Sequence, residues 1–144
     1  MIHLREYKKS DFEIINELWM EYGLSNQERN DSHEMIQNTI NQGGFLLVME
    51  DQETSNIIGC SWVTNDGRRL YLHHFFIKRE FRKMGHGKQL LDESLKRAQE
   101  MGLQIKLEVH DDNKRAQLLY KNAGFKYLGD FRIYIRRDTE LFPY

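Results

Sequence analysis

Short apolar runs bounded by turn residues alternate along this chain with segments whose apolar residues recur every third or fourth position, and the order of that alternation limits the folds open to it. Leu4 to Tyr7 reads as a short first strand. Ser10 stands three residues before Glu13, a capping-box spacing, ahead of a helix in which Phe12, Ile15, Leu18, Trp19 and Tyr22 share a face and Gly23 marks the end. Residues 23–31 are polar and loop-like, and Asp31 or Ser32 can cap a second helix carrying Met35, Ile36 and Ile40 that stops at Gly43-Gly44. Phe45 to Glu50 and Ile57 to Thr64 form a hairpin pair, and the turn Asn65-Asp66-Gly67 leads into a third strand, Leu70 to Ile77. Gly87 to Met101 is the best helix, with Leu91, Leu95 and Ala98 on one face and Gly102 closing it. Leu103 to Val109 returns as a strand, and Lys114 to Asn122 is a helix with Ala116, Leu119, Tyr120 and Ala123 on one stripe. Phe125 to Leu128 and Phe131 to Arg136 finish as strands. The order predicts a mixed, mostly antiparallel α/β sheet of six to seven strands with four helices on its faces.

With 144 residues, the chain fits one domain, taken as 1–144, with one active site. The longest apolar run is Phe45 to Met49, far short of the ~20 residues of a membrane helix, and the N-terminal residues show no cleavable apolar stretch, so the expected location is cytoplasmic. The single cysteine, Cys60, reads as a buried core residue, and no Cys/His cluster has metal-binding spacing. Residues 1–66 carry 4 Lys and Arg against 12 Asp and Glu, a net −8, while residues 67–144 carry 17 against 10, a net +7. A basic half suits a phosphate-bearing ligand and an acidic half a cationic one, although solvated faces would give the same counts. No basic helix or RNA-binding aromatic motif accompanies the charge, which argues against nucleic acid.

The segment Arg82-Lys83-Met84-Gly85-His86-Gly87 separates a strand from the start of the longest helix. Unpaired N–H groups at a helix N-terminus attract phosphate, and glycines let phosphate oxygens approach the backbone closely. Arg82, Lys83 and Lys88 add positive charge there, and Arg82 can grip a phosphate with two parallel hydrogen bonds. The pattern is neither the P-loop nor the dinucleotide-binding run.

It resembles the R/Q-x-x-G-x-G/A motif of the GNAT acetyltransferases. A second run, from Asn113 through Ala116, Leu119 and Tyr120 to Gly124-Phe125, is similar to the family's N-x-x-A-x-x-L-Y-x-x-x-G-F, and the element order agrees over essentially the whole chain. The resemblance implies acetyl-CoA as donor, a primary amine as acceptor, and direct attack in a ternary complex. It implies that the fourth and fifth strands splay apart and that the pantetheine arm lies between Phe75-Phe76-Ile77 and Leu107 to Val109. It assigns Arg82, Lys83, Met84, Gly85, His86, Gly87 and Lys88 to the diphosphate and Asn113 and Tyr120 to the region of the arm, with Tyr120 protonating the departing thiolate. Tyr120 also continues the apolar stripe of its helix, and Asn113 also reads as a cap.

Many family members place a glutamate on the fourth strand as base. Here His73 stands at that position and His74 follows, a departure from the pattern that leaves His73, His74, Glu108 or a water relay as the proton acceptor. Imidazole, with a pKa of about 6.5, is competent at neutral pH. Acceptor contacts are expected from the first two helices and their loop, with Tyr22, Glu28 and His74 as substrate-binding candidates. That acidic, aromatic stretch favours a small cationic amine, and the strand Tyr71 to Ile77 is similar to that of diamine acetyltransferases apart from the two histidines. A peptide N-terminus, a lysine side chain, or acyl-CoA sensing without turnover are the rival readings. The oligomeric state is open, a homodimer included.

Overall fold

The computed structural model describes residues 1–25 and 31–138. Along the chain run β1 (Ile2–Glu6), a 3-10 turn (Lys9–Asp11), α1 (Phe12–Glu21), α2 (His33–Asn41), β2 (Phe45–Asp51), β3 (Asn56–Asn65), β4 (Leu70–Ile77), a second 3-10 turn (Arg79–Phe81), α3 (His86–Met101), β5 (Ile105–Leu107) and α4 (Lys114–Asn122). The five strands form one sheet in sequence order, antiparallel from β1 to β4 and parallel between β4 and β5.

Alternation along β2 divides the interior into two cores. Phe45, Leu47 and Met49 point to the face covered by α3, where Leu90, Leu91 and Ala98 are buried with Ile58, Val63 and Leu70. Leu46 and Val48 point to the other face, where Ile15, Leu18 and Trp19 of α1 and Ile36 of α2 pack on Cys60, Trp62 and Phe76. A sheet covered on both sides explains why β2 reads as an unbroken apolar run. Each fully buried large aliphatic or aromatic side chain contributes about 1.5–3 kcal/mol, so much of the hydrophobic stabilisation is gathered on the central strands.

Local chemistry departs from expectation in three places. The capping box at Ser10 is not used: Ser10 lies inside the first 3-10 turn, and α1 begins at Phe12. Asp11 is preferred because its carboxylate accepts the Lys8 N–H at 2.9 Å and both guanidinium ends of Arg5 at 2.8 and 2.9 Å. α2 does start at Ser32, whose hydroxyl accepts the Met35 N–H at 3.2 Å. The sheet has five strands rather than six or seven, since 125–138 joins no ladder and β5 is cut to three residues. Alternation gives a segment two faces, but a strand also needs a neighbouring edge in register. Here no ladder extends past β5 among the described residues.

Two register shifts interrupt the antiparallel ladders. The second matters for the site: Trp62 pairs with His74 and Val63 with Leu72, which leaves His73 as the extra residue of a bulge in β4. Bulges re-aim a side chain and increase local twist.

Candidate functional site

β4 and β5 pair only through Leu70, Leu72 and the residue between them, against Ile105, Lys106 and Leu107; beyond that point they separate. A groove of about 510 Å³ opens in the gap, bounded by β4, the loop before α3, the residues after β5, and α4. Its size falls within the ~300–1,000 Å³ of small-molecule sites.

The β4 wall is made of backbone. Lys78 N–H donates to the Ile58 carbonyl at 2.7 Å, and hydrogen-bonded pairs alternate along an antiparallel ladder. Phe76 and Cys60 are therefore a bonded pair, while Phe75 and Ile77, opposite Ser61 and Gly59, turn their N–H and C=O groups away from β3 and toward the groove. The Ile77 carbonyl is already engaged, accepting from Arg82 Nε at 2.9 Å.

At one end of the groove the loop delivers α3. Gly85, its N-cap, has φ +85°, and Lys83 sits at φ +65°, a left-handed conformation that costs a non-glycine residue about 1–2 kcal/mol. The first N–H groups of α3 have no acceptor within the helix, so this strained turn presents them at the groove. A Cβ built on Gly87 would make only ordinary contacts, 3.6 Å to Leu119 and 3.8 Å to Ile77. The fold therefore does not require glycine there. Arg82, Lys83, Lys88 and Arg115 converge on this end. Burial, and then repulsion by Arg115, lowers the pKa of Arg82, as expected where cations are gathered for an anion. The Arg82 guanidinium lies 5.4 Å over the Tyr22 ring, Tyr22 stacks on Phe76 at 5.2 Å, and the Tyr22 hydroxyl accepts the Arg79 N–H at 2.9 Å. Met84, 63% exposed, and His86 do not line the groove.

Further along, Asn113 caps α4 through the Ala116 N–H at 3.1 Å and also lines the groove. Tyr120 is buried against Phe75 and Phe125, with edge-on ring contacts at 6.0 and 5.7 Å. Burial pushes its hydroxyl up to about 12, against Arg115, so it stays protonated at any working pH. This widens its gap from an ordinary thiol, with a pKa of about 8.5, and suits hydrogen-bond donation to a thiolate better than full proton transfer.

At the opposite end the bulge brings His73 to the groove, its Nε2 2.7 Å from Thr64 Oγ and its ring 4.2 Å from that of Tyr71. Although one side of the ring is exposed, desolvation by its neighbours, followed by repulsion from His74, lowers its pKa to about 4. His73 is therefore neutral at pH 7 but a weaker base than free imidazole. Glu108 lines the same end, and burial together with a hydrogen bond to Glu108 raises the Tyr71 pKa.

His74 is not part of the groove. It sits in the second core, edge-on to Trp19 at 4.4 Å and Trp62 at 5.0 Å, with Nε2 3.4 Å from Asp31 Oδ2. Glu28 lies outside the described residues. Arg115, Thr64 and Tyr71 were not singled out in the sequence. Only the register of β3 on β4 reveals Thr64 opposite Tyr71, whereas Arg115, two residues after the α4 cap, could have been found by extending the count of basic residues around the loop. Among the described residues no group of three His, Cys, Asp or Glu side chains is placed to hold a metal ion.

The sequence profile of the acetyltransferase (GNAT) family matches residues 12–125. A bovine (Bos taurus) protein, thialysine N-epsilon-acetyltransferase, is 38% identical over 65 residues, which cover 44% of this chain and 38% of that protein's length. A GNAT-family acetyltransferase structure from Staphylococcus aureus Mu50 superposes with a TM-score of 0.77 at 24% identity, over 88% of this chain and 84% of that one. A Clostridium acetobutylicum acetyltransferase solved with acetyl-CoA superposes at 0.74 and 15% identity, over 94% and 96%. At those identities the two structures establish the fold.

Proposed function

This chain belongs to the acetyltransferase (GNAT) family, and from that premise we propose that it moves the acetyl group of acetyl-CoA to a primary amine on a small cationic molecule. The observation that carries this reading is the conjunction of unpaired α3 N–H groups, four converging cations and the Phe75 and Ile77 backbone, all opening on one groove.

The donor supplies an activated thioester. The α3 N-terminus, with Arg82, Lys83, Lys88 and Arg115, holds the diphosphate. The Phe75 N–H and C=O and the Ile77 N–H would hold the amides of the pantetheine arm when acetyl-CoA is bound, and a β4 backbone N–H would stabilise the negative charge growing on the thioester oxygen, a role typically worth about 3–4 kcal/mol. His73, held by Thr64, takes a hydrogen bond and then the proton from the attacking amine. Its low basicity places it as a relay that passes the proton on to water rather than storing it. Tyr120 donates to the departing sulfur.

The acceptor assignment rests on Glu108 and His73 at the acceptor end of the groove, where a carboxylate and an aromatic neighbour suit an ammonium group. The bovine relative, named for acetylating an N-epsilon amine, supports an amine of this kind. The test is thiol release from acetyl-CoA across a panel of polyamines, diamino acids, aminoglycosides and peptides. Release dependent on small cationic amines is expected. Release with peptides alone reassigns the acceptor, and cofactor binding with no acceptor-dependent release marks a sensor.

A further inference from the structure

His73 is held by two neighbours, and both belong to a second cavity. Thr64, whose hydroxyl lies 2.7 Å from His73 Nε2, and Tyr71, whose ring lies 4.2 Å from the imidazole, also line a recess of about 130 Å³ at the turn between β3 and β4. The recess therefore begins where the acceptor end of the groove stops, with Thr64 and Tyr71 standing between the two. Complete small-molecule sites measure ~300–1,000 Å³, so a space of this size takes one polar group of a ligand rather than a whole one.

The lining of the recess is cationic. Arg68 and Arg69 from the turn and Lys106 from β5 stand against one carboxylate, Asp66, for a net charge of +2. Asp66 is committed to its own turn, its Oδ1 accepting the backbone N–H groups of Arg68 and Arg69 at 2.8 and 2.7 Å. Glu108, two residues beyond Lys106, accepts from the Tyr71 hydroxyl instead. Among the described residues none of Arg68, Arg69 and Lys106 has an ion-pair partner, and the Lys106 ammonium rests 5.5 Å from the centre of the Tyr71 ring. Uncompensated cations around a recess attract an anion, and a guanidinium grips a carboxylate through two parallel hydrogen bonds. On the other side of Tyr71, Glu108 and His73 suit an ammonium group. A ligand reaching across Tyr71 thus meets opposite charges at its two ends.

Resting on the transferase reading above, we propose that the recess formed by Thr64, Arg68, Arg69 and Lys106 is an anion subsite and that the acceptor is a short diamino acid. Its carboxylate sits in the recess while its far amine meets His73. Such a molecule keeps the net positive charge of the proposed acceptor and adds the one group that a polyamine lacks.

Lysine against cadaverine and ornithine against putrescine, each pair differing by one carboxylate, test this at saturating acetyl-CoA. kcat/KM is expected to favour the amino acid by about 10-fold or more in each pair, through KM rather than kcat, because the contact is remote from the reacting amine. Lysine amide, which keeps the shape and drops the charge, is expected to fall with cadaverine. Arg69→Gln with Lys106→Gln is expected to cut the preference by about 10-fold with circular dichroism unchanged, and Arg69→Lys to retain most of it. If the double variant unfolds, each single change is expected to cut the preference by about 3-fold. An equal or reversed preference in the wild type, or a preference that these variants leave intact, overturns the subsite while the transferase reading stands. If no amine is turned over, that reading fails, and calorimetric titration of the chain with coenzyme A present decides the subsite alone. Lysine bound about 10-fold more tightly than cadaverine supports it, and equal or absent binding overturns it.

Discussion

The two ends of the groove are built from different materials. At the α3 end the recognition elements are amides, a left-handed Gly85 and long cations, none of which depends on a finely set side-chain environment. At the His73 end everything depends on environment: a bulge decides that His73 faces the groove, a hydroxyl on β3 holds its ring, and neighbouring rings lower its pKa to about 4. A site made from backbone tolerates change in what surrounds it. A site made from a desolvated side chain does not, and the variants that separate the two ends follow from this.

The largest effect is expected at the cationic end. Arg82→Ala combined with Arg115→Ala removes two charge-assisted contacts worth about 1.5–3 kcal/mol each, so coenzyme A affinity should fall more than 100-fold with the circular dichroism spectrum unchanged. Retained affinity would detach these cations from the diphosphate.

Next comes the opposite end, where His73→Ala should lower the acceptor-dependent turnover about 100-fold, near the bottom of the range for general bases because the imidazole is weakly basic, and should leave coenzyme A affinity as it was. The sign of the pKa shift sets the pH dependence. A histidine whose folded pKa is depressed is already neutral well below pH 6.5, so the wild-type rate profile should show its His73 inflection near pH 4, and the rise at higher pH should follow the acceptor amine. A wild-type inflection near 6.5 that His73→Ala abolishes would contradict the environment described for the ring.

Tyr120→Phe keeps the buried ring and deletes one donor to the leaving sulfur, for an expected 10-fold loss in turnover; full activity would return Tyr120 to a packing role. Thr64→Val, isosteric on a strand, should cost about 3-fold in turnover through a loosened His73 ring, with Thr64→Ser restoring the rate. Equal rates for both would show that Thr64 holds nothing.

What was readable in the sequence divides along the same line. The Gly85-x-Gly87 spacing, the α4 cap at Asn113 and the turn-bounded apolar runs of β2 to β4 are local patterns, and each lies where it is expected. The features that escaped belong to relations between distant residues. His73 and His74 are adjacent in sequence, but a shift in pairing with β3 sends one to the groove and the other between Trp19 and Trp62. Asp11 displaces Ser10 at the start of α1 because Arg5, on the neighbouring strand β1, reaches its carboxylate. Residues 125–138 have the alternation of strands, but pairing is a property of two segments, and one sequence names only the first.

The central claim is that the diphosphate of coenzyme A rests on the opening turn of α3. Because a side chain begun at Gly87 meets only ordinary contacts within the protein, Gly87→Leu should fold normally and place its branch in the path of the ligand. Calorimetric titration of the two proteins with coenzyme A measures this directly: the claim predicts clear binding to the wild type and at least a 100-fold weaker constant for the variant, and equal constants, or no heat from the folded wild type, would contradict it.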